Sequence, residues 1–288
     1  MKKNHWSCEE IREFSTEKIL KKLHDFGIPM TPEQFLEDVQ NAYGGIEIAK
    51  RWEEQYTITA EHFDLDFPWM AAIVLWEQLA PDVMSNEKLD DLIYQGYDIL
   101  EYNHDEAKAC TIWLEVWEHL KQRFEPDVKS IEAAAKRFDD SFELYNWCQD
   151  VELYLGDAGL ENSDYYHQRI TYCREFCQRF PETEEAILVN MKRADAESHF
   201  FLGKIEEGEK LFQDLVNQYP QSTWGYIGWG DMYCLKMKNT QLPVDYVKAE
   251  KIYKTALKNN VDEPQVIRDR LRSLAKKTGG KGFGSSKP

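Results

Sequence analysis

The chain has 288 residues, 42% hydrophobic and 30% charged, which is enough for one or two domains with a substantial core. Its 52 acidic residues against 35 basic ones give a net charge of −17. That charge repels nucleic-acid backbones and anionic lipid surfaces, so neither nucleic acid nor membrane is expected as a partner. The opening MKKNHWSCEE leads into no apolar run, so no secretory signal is read there, and no stretch reaches the roughly 18 apolar residues of a membrane span. Six thinly spread cysteines (Cys8, Cys110, Cys148, Cys173, Cys177 and Cys234) fit reduced thiols and a cytoplasmic protein.

Apolar spacing through Ile19, Leu20, Leu23 and Phe26 predicts a helix over 16–26, stopped by Gly27-Ile28-Pro29. Thr31-Pro32-Glu33-Gln34 then supplies an N-cap, a first-turn proline and a capping-box partner. That second helix carries Phe35, Leu36, Val39 and Tyr43 to the stop at Gly44-Gly45. A third helix is expected over 46–56. A fourth starts at Pro68 and is apolar nearly all round from Trp69 to Trp76, which places it deep in the core. Residues 88–102 and 105–124 read as an antiparallel pair turning at Asn103-His104.

Pro126 marks an expected boundary. Beyond it, helices are predicted over 128–138 and 141–155, the latter broken by Gly156-Asp157-Ala158-Gly159. Ser163-Asp164 caps a helix ending at Phe180-Pro181. Further helices follow over 182–201, 204–219, 224–237, 246–259 and 264–277. Helices of similar length with tight links should be antiparallel neighbours, and repeated pairs stack into a solenoid.

The best internal repeat has a spacing of about 34 residues. A unit counted from Val189 has Ala196 at a close-contact position, Gly203 at the turn, Gly208 at a small position, Phe212 at an aromatic one and a closing Pro220. The next, from Thr223, has Tyr226, Trp229, Gly230 and Tyr233 on its first helix and Ala249, Tyr253 and Ala256 on its second. Seven extra residues separate its halves. Leu92, Gly96 and Tyr97 with Ala107, Ala109 and Leu114 form a more degenerate pair. These residues resemble the tetratricopeptide repeat, with Lys192, Asp195 and Leu215 departing from its pattern. The run GKIEEGEKLFQDLVNQYPQSTWGYIGWGDMY is also similar to bacterial helical-repeat proteins, some of which end in a cysteine-rich zinc tail of the SEC-C type. This chain has no cysteine after Lys277, so no zinc role carries over.

The resemblance implies an all-α fold, an α–α superhelix of antiparallel helix pairs. Its organisation would be an N-terminal helical region over 1–125, either separate or built of degenerate repeats, a repeat region over 126–277 and a disordered basic tail over 278–288. It also implies a concave face carrying Asn190, Arg193, Glu197 and Phe200, then Trp224, Ile227, Asp231 and Cys234. Family members that grip chaperone C-terminal carboxylates use Lys, Arg and Asn there. Glu197 and Asp231 would repel a carboxylate, so the expected partner is a neutral or basic protein or peptide.

Other clusters read as structure or surface. Cys173 and Cys177 share a helix face with His167 nearby, but two further ligands are lacking for a metal. Glu101 with His104, and Glu115 with His119, lie outside any duplicated ligand motif. Asp64 and Asp66, after Glu61 and His62, lack the remaining oxygens of a calcium loop. The stretch from Gly279 to Ser286 is rich in glycine but follows a helix and has Gly-Lys-Gly, so it is no phosphate loop. No catalytic residue, metal or cofactor is assigned. The alternative function is an enzyme or enzyme-associated subunit with a pocket between the N-terminal helices and the repeats.

Overall fold

A computed structural model describes residues 5–138, 144–235 and 242–278. Among them are fifteen α-helices, one 3-10 turn and no strand. The fold is all-α. The expected tail from residue 279 and most of the long link after Leu235 lie outside the described residues. The chain forms two compact units, Met1–Gln95 with Arg137–Phe142, and Gly96–Lys136 with Glu143–Pro288.

The first unit holds α1 (Cys8–Arg12), α2 (Thr16–Asp25), α3 (Pro32–Val39), α4 (Gly45–Gln55), the 3-10 turn His62–Asp64, α5 (Phe67–Leu79) and the start of α6 (Asn86–Asn103). Thr31 and Gln34 make the capping box that the sequence predicts for α3. The apolar α5 is the hub. Its Phe67, Ala71, Ala72, Val74 and Leu75 are fully buried, and α1 to α4 all pack on it. Gly45 lets α4 approach its backbone, because a Cβ there would lie 2.6 Å from Ile73 N. The orphan amides at the start of α4 are capped from a distance: Gly45 N and Ile46 N donate to the Glu87 carboxylate at 3.2 and 2.9 Å.

The second unit takes the rest of α6, then α7 (Glu106–Arg123), α8 (Ile131–Ala135), α9 (Leu144–Gly159), α10 (Asp164–Arg179), α11 (Glu185–Phe201), α12 (Ile205–Gln218), α13 (Thr223–Asp231), α14 (Tyr246–Lys258) and α15 (Pro264–Lys277). Pro126 lies inside this unit, and α7 packs on α9 and α10. Contacts across α9/α10 pair Glu152 with Arg169 and Gly159 with Tyr166, so the two run antiparallel. Arg174–Asp195 and Tyr166–Phe201 show the same for α10/α11, Lys192–Gln218 and Phe200–Phe212 for α11/α12, and Tyr226–Asn259 and Gly230–Tyr253 for α13/α14. First helices of successive pairs run parallel: Tyr145 meets Glu184 and Gln149 meets Asn190, then Phe200 meets Tyr233, and Thr223 and Asp231 meet Glu263 and Arg270. Antiparallel pairs stacked in order are the plan of an α–α superhelix.

Glycine–aromatic contacts set the close spacing. A Cβ on Gly96 would lie 2.1 Å from Trp113 Nε1, one on Gly208 2.5 Å from Phe200 and one on Gly230 2.2 Å from Tyr253. Phe212 is fully buried, and Trp229 stacks on it with an interplanar angle of 3°. Gly203 takes a φ of 73° in the α11–α12 turn, which a glycine adopts without penalty.

Three expectations are corrected. Gly156 does not break α9, which runs through it and ends at Gly159. Both glycines serve packing: a Cβ on Gly156 would lie 3.1 Å from Arg169 Cζ and one on Gly159 2.3 Å from Tyr166. The helix expected over 224–237 ends at Asp231, where Met232 N and Leu235 N donate to carbonyls of the last turn. The helix expected over 128–138 shortens to α8.

The corner after α7 is held by one side chain. Arg179 donates from Nε to Lys121 O at 3.0 Å, from Nη1 to Val128 O at 2.5 Å, and from Nη2 to Phe124 O at 2.9 Å and Glu125 O at 3.3 Å. These carbonyls lie at and just beyond the end of α7, where i+4 amides run out, and Glu125 O also accepts from Val128 N at 3.0 Å. Arg179→Met should therefore lower stability by about 2 kcal/mol, and Arg179→Lys, which lacks the planar fork, should recover less than half of it. Urea unfolding of both variants checks this. A change below about 0.5 kcal/mol for Arg179→Met would show that water replaces the guanidinium at no cost.

Candidate functional site

The N-terminal ends of α11, α13 and α15 converge on a cleft of about 610 Å³. Each helix follows a short link, and none of the three starts is capped by a side chain. Ser222 in extended conformation precedes α13, and Glu263 precedes Pro264, the first residue of α15. The links are tied together: Glu263 N donates to Thr223 Oγ1 at 2.9 Å and Asp262 N to Gln221 O at 2.9 Å. Glu184, Glu185, Asp262 and Glu263 bring four exposed carboxylates to the rim, against the single guanidinium of Arg193. Acids suit this position because helix N-termini carry partial positive charge.

Trp224 is the large apolar group at the mouth, 41% exposed. Its Nε1 donates to Glu263 Oε1 at 3.0 Å, and Arg193 Cζ lies 6.0 Å from its ring centre. Arg193 Nε is 3.4 Å from Glu197 Oε1, and Glu197 Oε2 is 3.5 Å from Arg169 Nη1. Asn190 Nδ2 donates to Gln149 Oε1 at 3.1 Å.

Of the eight residues expected on the concave face from the repeat register, Asn190, Arg193 and Trp224 line this cleft. Glu197 stands behind it, half-buried between two arginines. Phe200, Ile227 and Asp231 do not face a groove. Phe200 is buried against Phe212 and Tyr233, and Ile227 is buried in the same core. Asp231 is buried, accepts from Tyr253 Oη at 2.5 Å and pairs with Arg270 of α15 at 3.1 Å. Burial pushes its carboxyl above the usual range, opposed by the Tyr253 and Arg270 contacts. Cys234 is likewise buried, with its sulfur 3.4 Å from Tyr253 Oη. For Asp231 the cover is α15, which packs along α13 and brings Arg270 to it, whereas Phe200 is covered by Phe212 and Tyr233. The four rim acids were missed because three of them lie outside the helices whose faces were counted. An acid just before or just inside a helix start, after Pro181 and before Pro264, was the available signal.

Two other clefts belong to the second unit. One of about 680 Å³ lies between α12 and α14. Its central carboxylate, Glu209, accepts from Trp229 Nε1 and Tyr233 Oη at 2.5 Å each and pairs with Lys248 at 2.6 Å. Those polar atoms tie α12, α13 and α14 together. A smaller one of about 270 Å³ is lined by Cys173, Cys177 and Asp195. Burial raises both thiols, Cys177 to about 11, so neither is primed as a nucleophile at neutral pH. His167, His104 and His119 are exposed, as are Glu101 and Glu115. Among the described residues no group of three or more His, Cys, Asp or Glu could hold a metal ion, and no helix is long and apolar enough to cross a membrane. No protein family, curated protein or solved structure matches this chain.

Proposed function

We propose that this protein binds a neutral or basic protein or peptide segment, and that it does so on the first-helix face of a tetratricopeptide-like array. The cleft at the starts of α11, α13 and α15 is its anchor point. One observation carries the reading: a half-exposed Trp224 stands at the mouth of a cleft of about 610 Å³ with four carboxylates on its rim. Tryptophan supplies large contact area at little entropic cost, and a surplus of negative charge selects against acidic partners. Repetition of antiparallel pairs with parallel first helices supports the tetratricopeptide assignment. All six cysteines are free thiols, which supports a reducing, cytoplasmic setting.

A randomised peptide library selected on the full chain tests this. Selected sequences should be poor in Asp and Glu, and Trp224→Ala should weaken their binding by roughly thirtyfold, the effect of losing a contact worth about 2 kcal/mol. Glu185→Lys should weaken the basic members further. Selection of acidic peptides would refute the reading, and so would unchanged affinity in a folded Trp224→Ala protein.

A further inference from the structure

The first unit surrounds an ammonium group with aromatic rings. Lys22 Nζ, on α2, lies 5.3 Å from the Trp6 ring centre, 4.7 Å from that of Phe26 and 4.9 Å from that of Phe67. It is also 2.8 Å from Asp64 Oδ1, the oxygen that accepts from Trp6 Nε1 at 2.9 Å. The walls brace one another. Trp6 meets Phe67 edge-on at 5.6 Å, and Phe26 meets Phe67 edge-on at 5.8 Å. Side-chain exposures of 27% for Lys22 and 33% for Asp64 leave the enclosure open to solvent on one side.

These groups come from four separate stretches: the segment before α1, α2 with its C-cap, the 3-10 turn and the start of α5. The turn is held by His62 at a φ of 55°, a left-handed conformation uncommon for residues other than glycine. A lysine that needed only a counter-charge would be served by Asp64, and an exposed pair of that kind contributes little. Ring faces attract a cation whether or not it carries N–H donors. Three rings with one carboxylate therefore read positive charge and size, which is the chemistry of sites for alkylated ammonium groups.

We propose that Trp6, Phe26, Phe67 and Asp64 form an ammonium-binding box, filled in cis by Lys22, that takes alkylammonium ligands, quaternary ones included, once the lysine side chain is withdrawn. Tethering gives Lys22 a high effective concentration, so a free ligand competes poorly with it in the intact chain. The box lies within the first unit and is independent of the cleft at α11, α13 and α15.

The full chain with Lys22→Ala would be titrated with choline and with 3,3-dimethyl-1-butanol, its uncharged isostere, following the Trp6 indole N–H resonance. Choline should give a saturable shift and the alcohol none. Adding Asp64→Asn should weaken choline at least tenfold, and the unsubstituted chain should bind it at least tenfold more weakly than Lys22→Ala. A response to choline no larger than that to the alcohol overturns the proposal. Should Lys22→Ala not fold, reductive dimethylation of the lysines of the unsubstituted protein decides alone, with Lys22→Arg used to assign the Lys22 signal. The N-methyl protons on Lys22 should move upfield in the ring currents while the fold is retained. A signal at the position of exposed dimethyl-lysines overturns the proposal.

Discussion

Arg169→Met should lower the stability of the second unit by about 3–5 kcal/mol, the cost of leaving a buried charge without its partner. The Arg169 guanidinium is 6% exposed and the Glu152 carboxylate 7%. Nε of Arg169 donates to Glu152 O at 2.8 Å, and Nη2 to Glu152 Oε2 at 2.5 Å. Gly156 clears the space for it on α9. Methionine fills most of the volume but leaves Glu152 facing an apolar wall, with Glu197 also deprived of a cation. The double variant Arg169→Met, Glu152→Leu should recover most of the loss, because an ion pair replaced on both sides by apolar groups of similar size is often neutral or stabilising. Guanidinium unfolding of the two single variants and the double gives the coupling energy. If the double is no more stable than Arg169→Met, the pair is not what holds α9 to α10.

Gly230→Leu should cost about 3 kcal/mol or more, and Gly230→Ala a part of that, because both overfill a packed core. An alanine Cβ at Gly230 would lie 2.2 Å from Tyr253 Cε1 and 2.5 Å from its Cζ. The ring is fully buried, and its hydroxyl is fixed by Asp231, so it has nowhere to retreat. Gly225, one and a half turns earlier on α13, is the internal control. Its added Cβ would meet Val216 Cγ1 at 3.4 Å, an ordinary contact. There the helix propensity gained over glycine, up to about 1 kcal/mol, should win, and Gly225→Ala should stabilise. Opposite signs on one helix identify close approach as the cause. Thermal unfolding reads both, and a stabilising Gly230→Ala would mean that α13 and α14 are not in contact at that point.

The fold was legible where sequence signals are local. The capping box at Thr31 and the prolines at 32 and 264 mark helix starts that the structure shows within two residues. The nearly uniform apolarity of 69–76 marks the hub helix, since no polar face was available to meet water. Gly156 misled because glycine breaks a helix and admits a close neighbour for the same reason, the missing side chain. Only Arg169, on the next helix, decides between the two. The candidate site was legible in part. Of the residues that repeat counting puts on one face, Asn190, Arg193 and Trp224 line the cleft, and their shared face follows from helix periodicity alone. Phe200, Ile227 and Asp231 obey the same periodicity but are covered by their neighbours, and for Asp231 the cover is Arg270 on a helix 39 residues later. Coverage is a tertiary fact that periodicity does not carry. The same holds for the Lys22 box, whose aromatic walls span residues 6 to 67 with no common motif.

The most direct measurement is a titration of the isotope-labelled chain with a library-selected peptide, following indole and side-chain amide resonances. The Trp224 indole N–H and the Asn190 side-chain amide should shift together and saturate with one dissociation constant. The Trp229 indole, tied to Glu209 between α12 and α14, should stay in place. A peptide that moves Trp229 and leaves Trp224 unchanged would put recognition on the opposite helices and contradict the assignment of the cleft.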